Sequence, residues 1–474
     1  MSKHVVIIGA GPGGYVAAIR AAQLGAQVTL VERDNVGGTC LNWGCIPSKV
    51  LKTTAEMLDR FRRAKEFGIE GNGDLYPNMV RLMARKQKVV LNQAKGIHAL
   101  LKHHKIRYLQ GDGYIERPNS ATVRLDKDGA VEVPWDRLIL AMGSRPMALP
   151  SFPFDGQTII SSNDALSLSE IPESLVIIGG GVVGCEFAFI FASLGSKVTL
   201  IEAMPRLLPL PSVDESCSKI LQREMKKRKI TFMIEKTVVD IIKHAGKASV
   251  TIDHSPFAEE GKASPQTLES DKVLVCIGRV PNTEDMGLAN LGIQTDEKGW
   301  VQTNERLETN AAGVYAIGDL LGPSKIMLAH VASTEGLAAG ENAMGGNRLM
   351  NYTVVPGAIF TMPEVANVGL TEAQAKADGY NVRADSVLFR TVGKSQVMGE
   401  IAGQAKIISN AESGRILGVH LIGPHASDLI AEGTLALKMG ATVKDLAETI
   451  HAHPTLAEVM LETSLKAMDK SLHG

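Results

Sequence analysis

The chain has almost no net charge, few cysteines and no long apolar run. Lys and Arg number 50 against 51 for Asp and Glu, a formal net charge of -1. A chain so balanced lacks the electrostatic pull that non-specific nucleic-acid or anionic-membrane binding needs, and neither partner is expected. No stretch reaches the roughly 18 consecutive apolar residues of a membrane-spanning helix. The first residues, MSKHVVIIGA, pass from one Lys into a strand-like segment without a longer apolar core or a small-residue cleavage site. No secretory signal is expected there, and the expected compartment is the cytoplasm. The cysteines number five, and Cys185, Cys217 and Cys276 stand alone, which argues against a disulfide framework. In a reducing compartment a disulfide is more often catalytic or redox-sensing than structural. What remains is an ordinary globular composition, 45% hydrophobic and 21% charged over 474 residues, long enough for about three domains.

The sequence contains an internal repeat. Residues 5–32 read VVIIGAGPGGYVAAIRAAQLGAQVTLVE and residues 175–202 read LVIIGGGVVGCEFAFIFASLGSKVTLIE, identical at 14 of 28 ungapped positions. Each copy is an apolar strand, a GxGxxG turn, an alanine-rich helix, a Gly stop and a second strand ending in an acid. That is the βαβ pattern of a dinucleotide-binding unit. Gly9, Gly11 and Gly14, and in the second copy Gly179, Gly181 and Gly184, provide the tight turn, the close approach to a pyrophosphate and the helix–strand packing. A pyrophosphate sits at the helix N-terminus, where unpaired N–H groups and the positive dipole end favour an anion. Glu32 and Glu202, each 18 residues after the third Gly, are placed to accept from a ribose 2′-hydroxyl and to repel a 2′-phosphate. Two such units imply two different dinucleotides exchanging electrons, for which the usual pair is a flavin and a nicotinamide.

Between the copies lies GGTCLNWGCIPSK, residues 37–49, with Cys40 and Cys45 five positions apart. Zinc sites pair cysteines as CxxC and need four N/S ligands, which this spacing does not supply, so no metal is expected. CIPSKVLKTTAEMLDRFRRA reads as a helix start with Pro47 in its first turn. A thiol at that position is acidified and becomes reactive; the alternative is a pair of buried, reduced cysteines that merely pack. Lys49 lies one turn after Cys45 and Glu186 follows the second glycine motif; by themselves both read equally as solvated or capping charges. Near the end, IHAHPTLAEVMLETSLKAM (450–468) carries His451 and His453 before Pro454, and Thr455 to Glu458 matches a TxxE capping box. Glu458 is either only a cap or the carboxylate that holds the His453 imidazole in one tautomer, making it a base for thiol chemistry near neutral pH.

The motifs GAGPGG, GGTCLNWGCIPSK, LILAMGSRP (138–146), GGGVVGCE, CIGRVPNT (276–283), AIGD (316–319), MLAH (327–330) and HAHPTLAE (451–458) span nearly the whole chain in one order. In that set the chain resembles the flavin-dependent pyridine nucleotide-disulfide oxidoreductases, most closely those that oxidise dihydrolipoamide within 2-oxo acid dehydrogenase complexes. The resemblance implies an α/β fold of two Rossmann-like dinucleotide-binding domains, a central domain and a C-terminal α+β dimerisation domain. The implied limits are 1–147 for FAD, 148–274 for NAD, 275–345 for a central domain completing the FAD site, and 346–474 for the dimer interface. The implied cofactors are FAD and NAD, and the implied partners a second copy of the chain, lipoyl domains and the core of such a complex. In the implied mechanism Cys40 exchanges with the substrate sulfur, Cys45 is the thiolate facing the flavin, and Lys49 paired with Glu186 lies near the reactive ring. His453, held by Glu458 and delivered by the other subunit, takes the substrate proton. Gly113, Gly143, Gly278, Asp319 and the MLAH residues Met327, Leu328, Ala329 and His330 join the glycine motifs, Glu32, Glu202 and Lys49 as implied cofactor neighbours.

Related chemistries are separated by particular residues. An NADPH-dependent, glutathione-type reductase carries basic groups where Glu202 stands, and the mercuric and large thioredoxin reductases add a C-terminal redox pair, whereas the last cysteine here is Cys276. Soluble transhydrogenases lack the first redox cysteine, which is present as Cys40. A non-enzymatic flavoprotein has no need of Cys40, Cys45 and His453 together. Three features depart from the family pattern: Trp43 between the cysteines, Met142 in AMGSRP, and the interface stretch 388–403.

Overall fold

β1 (His4–Ile8) reads HVVII, and an unbroken apolar run of this kind belongs in a parallel sheet covered on both faces. In the computed structural model, which describes residues 2–71, 75–125, 129–258 and 265–473, β1 is the central strand of a five-stranded parallel sheet. α1 (Pro12–Gln23) crosses to β2 (Gln27–Glu32), after which come α2 (Gly38–Trp43) and α3 (Cys45–Arg62). The sheet order is Val314–Ala316, Arg137–Leu140, β1, β2 and Arg107–Gln110. Its edge strand therefore comes from the central segment, with Val314 paired to Leu138. Leu288, Val314, Ile317, Ala338 and Ala343 share one apolar core with β1 and β2.

The second copy of the repeat builds a second parallel sheet. β3 (Ser174–Ile178), α4 (Val182–Leu194) and β4 (Lys197–Ile201) lie within the order Thr231–Met233, β4, β3, Lys272–Val275, Ile159–Ile160. The two turns match in detail. Gly9 and Gly179 hold φ of 102° and 106°, a conformation open to glycine. A Cβ on Gly14 would fall 1.8 Å from the Gly9 carbonyl oxygen, and one on Gly184 1.9 Å from that of Gly179. Only glycine lets either helix approach its strand so closely. Ser144–Pro146 leads out of the first domain and pairs antiparallel with Arg279–Pro281.

The polar stretch 254–270 ends in the strand Gln266–Ser270, which pairs with Lys247–His254. Residues 259–264 lie outside the described residues. The C-terminal region is an antiparallel sheet in the order Gly357–Ile359, Glu364–Gly369, Ile416–Gly423, Gln404–Asn410, Val382–Leu388. It has a core of its own, in which Val368, Ile407, Leu421 and Met460 are fully buried. α5 (Ala329–Ala343) carries the MLAH segment at its start, and α6 (Glu458–Lys466) closes the chain. The fold is thus α/β with two Rossmann-like domains and a C-terminal α+β unit. The divergent interface stretch forms a short helix, Gly393–Met398, whose end meets α3: Arg63 donates to the Gly399 carbonyl at 2.8 Å and Arg60 pairs with Glu400 at 3.0 Å. Among the described residues, no helix is long and apolar enough to cross a membrane.

Candidate active site

Gly44 separates α2 from α3, and the two thiols lie on either side of it, Cys40 within α2 and Cys45 as the first residue of α3. Pro47 follows two residues later, in the first turn, where a missing N–H costs nothing. Cys40 is partly buried and Cys45 exposed. The neighbouring Cys40 thiol lowers the Cys45 pKa to about 7, helped by the Lys49 charge and opposed by desolvation and Glu186. The Cys45 sulfur and burial push the Cys40 thiol far up. Of the two sulfurs, Cys45 is the one that ionises first. Trp43 is 40% exposed on the last turn of α2, three residues from Cys40 and therefore beside it on the helix surface.

Lys49 Nζ lies 2.8 Å from Glu186 Oε2, which brings α3 of the first domain onto α4 of the second. The other oxygen of Glu186 accepts from the Phe360 N–H at 2.9 Å. Asp319, the last residue of the AIGD motif, lies in a 3₁₀ turn, Gly318–Leu321, after the strand Val314–Ala316. It accepts from the Ser144 hydroxyl at 2.8 Å, and Ser144 in turn accepts from Arg279 Nε at 2.6 Å. Burial lowers the Arg279 pKa, offset by Asp319 and Cys45, so this guanidinium lies in the field of the thiolate.

At the glycine motifs, Gly11 and Gly181 cap α1 and α4 without a side-chain hydrogen bond, leaving first-turn N–H groups free of side-chain acceptors. A Cβ on Gly181 would meet nothing within 4 Å, and one on Gly11 only Gly38 Cα at 3.9 Å. Two open, positively polarised helix ends suit two pyrophosphates, so the residues present fit FAD and NAD. Glu32 accepts from the Ala10 N–H at 2.7 Å and Asp34 N–H at 2.9 Å; burial nevertheless raises its pKa. Glu202 accepts from Gly180 and, at 2.8 Å, from Met204. Both acids are therefore also loop fasteners, with lone pairs left for a ribose.

Other implied cofactor neighbours are placed differently. A Cβ on Gly113 would come 3.0 Å from Ile8 Cγ2, so this glycine serves the close approach of its strand to the first sheet. Gly143, at φ 67°, has open space on its Cβ side, while a Cβ on Gly278 would meet Met147 Cε at 3.1 Å. Met327 and Leu328 precede α5 and Ala329 begins it, but the His330 ring is turned to the Pro356 carbonyl, Nε2 to O 2.9 Å. Met142 packs on the first core while its carbonyl accepts from Asn282 at 2.8 Å.

At the C-terminus, His453 Nδ1 lies 2.8 Å from Glu458 Oε1, with the imidazole 77% exposed. The expected capping box is only half formed. Glu458 Oε2 accepts from the Thr455 N–H at 2.9 Å, but the Thr455 hydroxyl donates to the Ala452 carbonyl, and the N-cap of α6 is Ala457. Among the described residues no hydrogen bond joins His453 to either thiol within the chain. His451 pairs with Glu432 at 2.7 Å and is almost fully buried, which marks it as structural.

Sequence reasoning missed Phe360, Arg279, Ser144 and Glu335. Glu335, 1% exposed on α5, accepts from the Gly318 N–H and the Tyr352 hydroxyl, each at 2.6 Å, and burial raises its pKa to about 7. It braces the turn that holds Asp319. An acid inside an alanine-rich helix gives no local sign of this.

Two cysteines flanking a helix start, beside a Lys–Glu pair and between two dinucleotide-type glycine loops in the chain, define a disulfide oxidoreductase. The chain matches the pyridine nucleotide-disulphide oxidoreductase family over residues 3–336 and that family's dimerisation domain over residues 355–464, and it belongs to this family. Within it the chain groups with the dihydrolipoyl dehydrogenases. It is 44% identical over 472 residues to the Chlamydia muridarum enzyme, covering 99% of this chain and 97% of that one. To the Bacillus subtilis enzyme it is 41% identical over 479 residues, covering 99% and 98%. Among solved structures it is similar to LpdA from Mycobacterium tuberculosis, with TM-score 0.89, 27% identity and coverage of 98% and 99%. The HOCl-induced flavoprotein disulfide reductase RclA from Escherichia coli gives TM-score 0.84 at 27% identity, covering 97% and 99%.

Proposed function

We propose that this chain oxidises protein-bound dihydrolipoyl groups to the lipoyl disulfide through Cys40 and Cys45, with FAD as resident cofactor and NAD as electron acceptor. The observation that carries it is the placement of Cys40 and Cys45 on either side of Gly44 at the start of α3, one turn from the Lys49–Glu186 pair, where the Cys45 pKa is held near 7. On this reading residues 1–147 and 275–345 hold FAD, 148–274 hold NAD, and 346–474 pair two protomers. His453 then serves the thiols of the other subunit, in keeping with its exposure. The proposed compartment is the cytoplasm, and lipoyl domains of a 2-oxo acid dehydrogenase complex are the partners.

The thiol chemistry balances on the chain's own residues. In the oxidised couple, His453 Nε2 takes a proton from one substrate thiol while Glu458 holds Nδ1–H. The substrate thiolate attacks Cys40 Sγ, the Cys40–Cys45 bond breaks, and the electron pair leaves on Cys45 as a thiolate. The second substrate thiol then displaces Cys40 Sγ from the first, closing the lipoyl ring, and its proton passes to Cys40. The product is a Cys40 thiol beside a Cys45 thiolate. The helix ends at Gly11 and Gly181 would hold FAD and NAD, which would supply the two-electron oxidation that restores the disulfide. Glu202 favours NAD, because a 2′-phosphate would face a carboxylate already fixed by two amides.

The test is anaerobic addition of dihydrolipoamide to the oxidised holoenzyme. A long-wavelength thiolate-dependent absorbance half developed near pH 7, and lost in Cys45→Ser, is expected; no such absorbance in the wild type would overturn the reading.

A further inference from the structure

The strand Gly357–Ile359, in the dimerisation region, leads directly into Phe360, and Phe360 touches the Lys49–Glu186 pair twice. Its N–H donates to Glu186 Oε1 at 2.9 Å, while Glu186 Oε2 takes Lys49 at 2.8 Å. Both carboxylate oxygens are therefore fixed. The face of the Phe360 ring lies 4.2 Å from Lys49 Nζ, within the range of a cation–π attraction. Lys52, one turn along α3, is farther from the ring at 5.7 Å, and its ammonium is held by Glu56 and Glu364 at 2.7 Å each. Thr361 fixes the same turn by donating to the Pro363 carbonyl at 2.6 Å. The segment 360–364 thus grips the α3 face that carries Lys49 and Lys52.

We propose that Phe360 is a positioning residue for the redox centre, its N–H orienting Glu186 and its ring holding the Lys49 ammonium where that charge acts on the Cys45 sulfur. The proposal rests on Cys45 being the thiolate of the reading above. Glu186 gives Lys49 direction on one side; without the ring the other side is left to water, and a flexible ammonium samples positions farther from the thiolate. Cation–π contacts of this kind change the population of the held geometry by roughly two- to thirtyfold. Seating of the dimerisation region is thereby coupled to the acidity of Cys45, across two domains.

The experiment titrates the long-wavelength thiolate absorbance of two-electron-reduced holoenzyme against pH. Phe360→Leu and Phe360→Met remove the ring and keep the backbone N–H; Phe360→Tyr keeps both. In the ring-less variants the midpoint moves up by about half a pH unit, roughly a threefold loss in the thiolate-to-thiol ratio, and Phe360→Tyr restores it. In a Lys49→Met background Phe360→Met moves the midpoint no further. A wild-type midpoint in Phe360→Met, with FAD content and melting temperature matched, overturns the proposal. A wild type that titrates as an ordinary thiol overturns the Cys45 reading instead.

Discussion

Lys49 Nζ and Glu186 Oε2 meet at 2.8 Å across the boundary between the two dinucleotide-binding domains, with Glu186 only 10% exposed at its side chain. The pair has two roles. It joins the domains, and it places a cation beside Cys45. Lys49→Met removes both. It leaves a nearly buried carboxylate unpaired, and since Lys49 itself is 29% exposed the cost is about 1–3 kcal/mol rather than the full value of a buried pair. Thermal unfolding of the holoenzyme measures this cost. The thiolate midpoint of Cys45 moves upward in the same variant, and Lys49→Arg keeps the charge and most of the shift.

The Cys40 thiol is the largest cause of the low Cys45 pKa. Cys40→Ala removes the donor without touching Lys49. The thiolate absorbance then titrates above the wild-type midpoint of about 7, and a rise of one unit lowers the thiolate-to-thiol ratio roughly tenfold at neutral pH. Cys40→Ser, whose hydroxyl can still donate, falls between the two. An unchanged midpoint in Cys40→Ala would show that helix position and Lys49 suffice.

In the proposed function His453 and Glu458 divide one task. His453→Gln removes the base and lowers lipoamide turnover by roughly 10²- to 10⁴-fold. Glu458→Gln keeps an acceptor for the Thr455 N–H but loses the charge that orients the imidazole, so its loss is smaller and its pH–rate profile shifts. NADH oxidation by an artificial acceptor that bypasses the thiols stays near the wild-type rate in both, which separates proton transfer from folding.

Burial raises the Glu335 pKa to about 7, against an ordinary value near 4.5. The folded state therefore binds this proton more tightly than the unfolded chain. Its stabilising contribution is complete below about pH 4.5 and is lost as pH rises through about 7, a change on the order of 3 kcal/mol. Glu335→Gln is neutral at every pH, keeps a carbonyl for the Gly318 N–H, and offers an amide donor to the Tyr352 oxygen. Scanning calorimetry from pH 5 to pH 8 should show wild type losing stability relative to Glu335→Gln. Parallel curves would contradict the buried, protonated acid.

Local features of this molecule were legible in its sequence. The strand, turn, helix and strand of each glycine motif follow from neighbouring residues, because Gly9 and Gly14 meet through one turn, and Pro47 marks the start of α3. Features that depend on distant chain segments were not. Lys49 and Glu186 lie 137 residues apart, and Phe360 lies 174 beyond Glu186, so no local pattern pairs them. The edge strand Val314–Ala316 joins the first sheet only because its partner Arg137–Leu140 has an open edge. The TxxE pattern at Thr455 misled in part, since Glu458 is drawn to His453 and the Thr455 hydroxyl to the Ala452 carbonyl.

The most direct measurement is steady-state oxidation of dihydrolipoamide with NAD and with NADP, beside glutathione as thiol, for wild type and Cys45→Ser. The account predicts lipoamide-dependent NADH formation by the wild type, with NAD well ahead of NADP, little glutathione activity, and none of the lipoamide rate in Cys45→Ser. Preference for NADP, glutathione turnover exceeding that of lipoamide, or an active Cys45→Ser enzyme would contradict it.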